Sequence, residues 1–167
     1  MVEGSHRLVL SHLIVQHLGR PAIGAEIGVH KGRTSELLLK TFPNLRLYMV
    51  DSWVWQEGAE DAAFANTSFA GDRIQMLKGD SVKMAREVMD GLDFVFIDGD
   101  HTKAGCLRDM MAYWPKVREG GLFCGHDYHK PDFPGVDEAV AAFAEMHGVE
   151  FQGTEVGHIW WTKKTSS

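Results

Sequence analysis

The chain has 167 residues, a length that suits one domain with a sizeable core. Apolar residues make up 44% and charged residues 24%, the balance of an ordinary globular protein. A formal net charge of −6 and the lack of any basic run argue against a nucleic-acid partner, and no apolar segment reaches the length of a membrane span.

The run LVLSHLIVQHL is apolar enough to raise the question of a secretory leader, but Ser11, His12, Gln16 and His17 interrupt it. Leu10, Leu13, Ile14, His17 and Leu18 fall near one face at helical spacing, which predicts an amphipathic helix near 5–18. A short strand, AIGAEI, follows at 22–27. Gly28 to Gly32 form a loop, TSELLLKTF reads as a helix, and Pro43 and Asn44 break it. LRLYMV (45–50) is a second strand with Asp51 at its end. Residues 52–72 form an aromatic-rich connection with a short helix around Asp61–Asn66. IQMLKGD is a third strand, and SVKMAREVMDG is a helix stopped by Gly91. DFVFID is a fourth strand; Pro115 bends or ends the helix TKAGCLRDMMAYWPKV. GLFCGHD is a fifth strand, and Pro134 opens a helix over GVDEAVAAFAEMHG. VEFQG and GHIWWTK close the chain as two strands linked through Thr154–Gly157.

Strands alternating with helices imply βαβ units and an α/β fold with a mainly parallel sheet, the final pair adding an antiparallel strand. The chain reads as one domain over 1–167, with an N-terminal helix (1–20) before the α/β core (21–167). Cys106 and Cys124 lack CxxC spacing and are expected to be buried, reduced thiols of a cytoplasmic protein.

In such a sheet, ligands bind beyond the carboxyl ends of the strands. Those ends carry Glu26-Ile27-Gly28, Asp51-Ser52-Trp53, Gly79-Asp80-Ser81, Asp98-Gly99-Asp100-His101 and Gly125-His126-Asp127. One acidic ending would be a solvated turn or a helix cap. A succession of them on one rim points to a site. The first loop, AEIGVHKGRTS, is not the dinucleotide GxGxxG. Its Glu26 would repel a pyrophosphate and draw in an ammonium, while the glycines allow close backbone approach. Asp51 suits a ribose diol, and Asp80 with Ser81 an adenine edge. S-adenosylmethionine joins an amino acid, a ribose and an adenine without phosphate.

At this point the sequence resembles the class I S-adenosylmethionine-dependent methyltransferases, through AEIGVHKG, YMVDSW, LKGDS, FVFIDGDH and GGLFCGHDY in that order, across residues 22–162. The resemblance implies a Rossmann-like, seven-stranded sheet, mostly parallel, with helices on both faces and the last strand antiparallel. It assigns cofactor binding to Glu26, Gly28 and Gly32 (methionine part), Asp51 and Ser52 (ribose), Asp80 and Ser81 (adenine), with Asp98 nearby. Trp53 is either an adenine-packing ring or a core aromatic.

The segment from Asp98 through GHDYHKPDFPGVDEAVAAF is similar to the macrocin-type sugar O-methyltransferases, a metal-dependent subgroup. This implies that Asp98, His126 and Asp127 hold a divalent metal and that Asp98 and His101 are catalytic, His101 as the base. The sequence departs from that pattern at His126, where the sugar enzymes usually carry a second acid. Magnesium prefers oxygen, whereas manganese, iron or zinc accept Asp, His and Asp; a metal-free site stays open. An imidazole at about 6.5 falls some nine units short of an alkyl hydroxyl at about 15.7, roughly 12 kcal/mol, but nearer a phenol at about 10. A sugar hydroxyl therefore calls for metal plus His101, and a phenol for His101 alone.

The expected activity is S-adenosylmethionine-dependent O-methylation of a small hydroxylated acceptor, sugar or phenol. The alternative is a cofactor-binding module without catalysis. An iron oxygenase using His126, Asp127 and His129 is set aside, because such HxD sites belong to all-β frameworks. More modest roles compete: His101 as a helix cap beside Thr102, His126 as a structural hydrogen-bonder, and His129 as a solvent-facing loop residue. Trp53, Trp55, Tyr128 and Phe133 either line an acceptor pocket or seal the rim. Trp160 and Trp161 are expected to pack. His6, His12 and His17 fall on the first helix and receive no chemistry. A chain this short can borrow a pocket wall from a second copy, so a homo-oligomer is left open.

Overall fold

The computed structural model describes residues 5–165. Helix α1 (Ser5–Leu18) precedes a seven-stranded sheet. The strands are β1 (Ile23–Ile27), β2 (Arg46–Asp51), β3 (Ile74–Lys78), β4 (Leu92–Ile97), β5 (Val117–Gly125), β6 (Gln152–Gly153) and β7 (Trp160–Lys163). The connecting helices are α2 (Arg33–Thr41), α3 (Ala59–Thr67), α4 (Ser81–Met84), α5 (Lys103–Tyr113) and α6 (Pro134–His147). The sheet order is β3-β2-β1-β4-β5-β7-β6; β1 to β5 pair in parallel and β7 runs antiparallel to β5. The expected architecture, an α/β seven-stranded sheet with an antiparallel last strand, is the one observed.

Period-two alternation sorts the strand residues between two cores. Leu47, Met49, Phe94, Phe96, Leu122 and Cys124 pack on one face with Leu10 and Ile14 of α1 and Leu38 and Leu39 of α2. Val50, Val95, Ile97 and Phe123 pack on the other with Met110 and Tyr113 of α5 and Val140 and Phe143 of α6. Helices thus cover both faces. Both cysteines are free and buried, and burial pushes the Cys106 thiol up to about 12 and raises that of Cys124 as well. Among the described residues no helix is long and apolar enough to cross a membrane.

The largest departure from the sequence-based elements is α4. A helix over SVKMAREVMDG is expected, yet only one α-turn forms. Beyond it Glu87 N donates to Met84 O and Val88 N to Ala85 O, bonds that span three residues rather than four. Such a tightened turn eclipses positions i and i+3. It turns Ala85 and Val88 together into the core beneath β2 and β4. The fifth strand is also longer than expected, starting at Val117 because Pro115 confines the end of α5 to a single tight turn, Trp114–Lys116.

This topology fixes where a ligand can bind. The chain runs outward from β1 to β3, then returns to lay β4 on the other side of β1. Parallel neighbours leaving in opposite directions open a crevice beyond their carboxyl ends. Here that crevice lies between the loops following Ile27 and Ile97.

Candidate active site

A cavity of about 860 Å³ occupies this crevice. Its volume is within the range of small-molecule sites. Gly28, Asp51, Ser52, Trp53, Asp80, Ser81, Asp98 and His101 all line it, so the topology brings together eight residues that the sequence assigned to one site.

Gly28 opens the floor. Its φ is 90°, and a Cβ there would lie 2.1 Å from the carbonyl oxygen of Asp98. Only glycine lets β1 and β4 end this close together. Gly28 N donates to Val50 O and Asp98 N to Ile27 O, which locks the three strand ends in step.

Asp51 is a hub for backbone donors. Its Oδ2 accepts from Val29 N and His30 N, each at 2.8 Å, and its Oδ1 accepts from Trp53 N at 2.7 Å. The carboxylate therefore shapes the glycine loop before any ligand arrives. Trp53 is buried in the core, its indole N–H donates to His30 O at 2.8 Å, and one face still borders the cavity. Trp55, 91% exposed, and Phe133 stand on the same wall, whereas Tyr128 stacks on His129 outside it.

Two expected cofactor residues stand back from the wall. Gly32 caps α2 and approaches α3, where a Cβ would sit 3.0 Å from Ala63 Cα. Glu26 is buried and takes a hydrogen bond from Ser35 Oγ. Burial pushes its carboxyl up to about 8 against that hydrogen bond, so at neutral pH it is a neutral acid. The negative charge expected to draw in an ammonium is not what this position offers.

The adenine-side pair is held by the helix that follows. Asp80 Oδ1 accepts from Lys83 N and caps α4. Ser81 Oγ donates to Asp109 Oδ1, and Tyr113 Oη donates to Ser81 O. Asp109 is a buried acid on the cavity wall that the sequence reading missed. Burial raises its carboxyl to about 6, opposed by the Ser81 hydrogen bond. Its signal was in the chain: Cys106, Asp109, Met110 and Tyr113 share one buried stripe of α5, and an acid on such a stripe is out of place without a purpose.

The reaction side is built from charged side chains. Asp127 has φ 62°, a left-handed conformation that costs a non-glycine residue on the order of 1 kcal/mol and recurs at functional sites. Its Oδ2 lies 2.7 Å from His101 Nε2 and its Oδ1 2.7 Å from Lys130 Nζ. Burial works to raise its carboxyl, but the close His101 and Lys130 side chains win and hold it well below the usual range. His101 in turn is raised to about 9 by the carboxylates of Asp127, at 2.7 Å, and Asp98, at 3.9 Å. Its ring stacks on Phe133 at 4.3 Å between centroids. Thr102, not His101, caps α5, its Oγ1 accepting from Gly105 N.

His126 Nδ1 lies 3.3 Å from both Asp98 Oδ1 and Asp127 Oδ1, which sets the three expected metal ligands side by side. Two sets of side chains bring one ligand atom each within 4.8 Å of one another: His6, Asp98 and His126, and Asp98, His101 and Asp127. Asp98 belongs to both. His6, given no chemistry by the sequence, stacks on His126 with centroids 4.3 Å apart, and burial, then the charge of His126, pushes it down to about 4. The donor chemistry, carboxylate plus imidazole, fits a divalent metal of the manganese-to-zinc series.

Comparison with known proteins agrees with this geometry. A family profile described as a methyltransferase domain matches residues 25–128. No curated protein matches the chain. Among solved structures, the O-methyltransferase NovP superposes with a TM-score of 0.77 at 17% identity, over 96% of this chain and 80% of its own. An O-methyltransferase from Bacillus cereus, solved with S-adenosylhomocysteine, gives 0.76 at 19%, over 98% and 83%. A TDP-rhamnose 3′-O-methyltransferase of calicheamicin biosynthesis gives 0.72 at 16%, over 94% and 77%. With the profile spanning more than half of the sequence, the chain belongs to the methyltransferase-domain family, and it shares its fold with these O-methyltransferase structures.

Proposed function

We propose that the protein transfers a methyl group from S-adenosylmethionine to a hydroxyl of a small acceptor, a sugar or a phenol, with His101 as base and a divalent metal at Asp98. The observation that carries this reading is that Asp98 and His101 share one wall of the cavity, with Asp127 clamping the imidazole from behind. The structural neighbours support it: one is a TDP-rhamnose 3′-O-methyltransferase, and another was solved with S-adenosylhomocysteine.

Asp51, Ser52, Asp80, Ser81 and the Gly28 backbone would hold the cofactor, whose sulfonium supplies the methyl group. The chain's own work is alignment. Holding oxygen, methyl and sulfur in line is worth up to about 7–11 kcal/mol, and little net charge develops when an oxyanion meets a sulfonium. His101 Nε2 faces Asp127; the imidazole takes the acceptor's proton only in its neutral form, which is populated as pH rises toward 9. With His101 at about 9, the gap to a phenol at about 10 is roughly one unit, or about 1.4 kcal/mol. The gap to an alkyl hydroxyl at about 15.7 is still near seven units. Asp98 and His126 would be the residues to hold a divalent metal, whose chemistry there would be to lower the pKa of a hydroxyl. Phe133 and Trp55 offer flat apolar faces to either kind of ring.

Calorimetric titration with S-adenosylhomocysteine, followed by a turnover screen of phenols and nucleotide sugars with and without manganese, tests this reading. Binding is expected, and His101→Ala should cost about 10²–10⁴-fold in turnover while cofactor affinity stays within a few-fold. The absence of heat and of thermal shift at millimolar ligand would sink it.

A further inference from the structure

We infer that helix α1 supplies a metal ligand: His6, with Asp98 and His126, forms a nitrogen-rich divalent-metal site, and Asp127 stays outside it. This rests on the reading that a metal works at Asp98, and it changes the ligand set. Asp127 Oδ2 already meets His101 Nε2 at 2.7 Å and its Oδ1 the Lys130 ammonium at 2.7 Å, although Oδ1 is buried and accepts no well-aligned hydrogen bond. A metal taking Asp127 would have to displace the lysine and release the base from its clamp. On the other side of Asp98 the situation is reversed. His126 Nδ1 stands 3.3 Å from Asp98 Oδ1 and the His6 ring lies against it, with ligand atoms of all three within 4.8 Å. Among the described residues no hydrogen bond engages the His6 ring.

The backbone is arranged to place His6 there. Gly157, in the β6–β7 connection, has φ 83°, and a Cβ at that position would lie 2.9 Å from His6 Cα. A side chain at 157 would push the first turn of α1 off the site. Two imidazoles and one carboxylate select manganese, iron, cobalt or zinc over magnesium, which prefers oxygen.

The test is metal binding by the full chain after chelator treatment, read by manganese and cobalt titration, magnesium competition, and pulsed paramagnetic resonance of the manganese-loaded protein. Two coordinated imidazole nitrogens are expected, with magnesium a poor competitor. His6→Ala should weaken binding by more than about 100-fold, beyond the roughly 10–100-fold of outer-partner changes, and leave one nitrogen. Asp127→Asn should weaken it by no more than about tenfold. Gly157→Ala, which displaces His6 without removing it, should also lower affinity. Thermal melts and S-adenosylhomocysteine binding, unchanged in His6→Ala, show that the fold survives. A single coordinated nitrogen, full affinity in His6→Ala, or loss of the metal in Asp127→Asn would overturn the inference. If the wild type binds none of these metals, the inference and the metal-assisted step both fall. Methyl transfer itself would still stand if turnover persisted in chelator.

Discussion

The two sides of the crevice satisfy their carboxylates in opposite ways. On the β1–β3 side, Asp51 is held by three backbone N–H groups, Asp80 caps a turn, and Glu26 is buried as a neutral acid. On the β4–β5 side, Asp98 and Asp127 are met by movable side chains: His101, His126 and Lys130. Backbone donors cannot leave, so the first arrangement fixes a shape. Side-chain cations can rotate away or exchange protons, so the second arrangement can do chemistry. A cofactor pocket needs the one and a proton-transfer centre the other.

Substitutions can break each side separately. The largest effect on stability is expected from Gly28→Ala, since the new methyl must displace the Asp98 backbone at a φ of 90°. A loss of about 3 kcal/mol or more in urea unfolding, together with loss of cofactor binding, would show that the first side is rigid. Wild-type stability in this variant would mean that the strand ends can part. On the reaction side, Asp127→Asn keeps the left-handed backbone, which Asn tolerates well, but removes a charge. The titration midpoint of His101, followed by NMR, should fall from about 9 toward 6.5, with the rise of turnover with pH moving down with it. An unmoved midpoint would assign the shift to Asp98 alone.

Glu26→Gln sharpens the contrast through linkage. Glu26 binds its proton more tightly folded (about 8) than unfolded (4.5), so its contribution is full below pH 4.5 and is lost as pH rises toward 8. The difference between wild type and variant, measured by urea unfolding of chelator-treated protein, should change across that window by up to about 1.4 kcal/mol per pH unit. A flat difference would mean that the acid is ionised in the fold. The smallest effect is expected from Thr102→Ala, which removes the cap of α5 beneath the reaction loop and should cost about 1 kcal/mol in the same assay.

The succession of strands and helices along the chain and the rim of acids were legible because both depend on local pattern. Alternation such as Phe94, Val95, Phe96, Ile97 marks a strand buried on both faces, and the acids follow directly at its end. Residues that arrive from a distance were not legible in the same way. His6 reaches Asp98 only because α1 crosses the end of β5, and nothing within its own turn says so. Lys130 meets Asp127 through the left-handed turn at that residue, which no local pattern announces. Asp109 was readable, being the one acid on the buried stripe of α5. At Glu26 residue type alone suggests a charge, whereas burial pushes the carboxyl up to about 8.

Trp55 has a practical consequence. It stands 91% exposed on the cavity wall, while Trp53 and Trp160 are buried. An indole in water emits at longer wavelength than one shielded from it, so the protein carries its own fluorescent reporter of occupancy. Cofactor or acceptor entering beneath Trp55 should shift the emission to the blue, and a Trp55→Phe control would confirm the source, making ligand screening possible without any label.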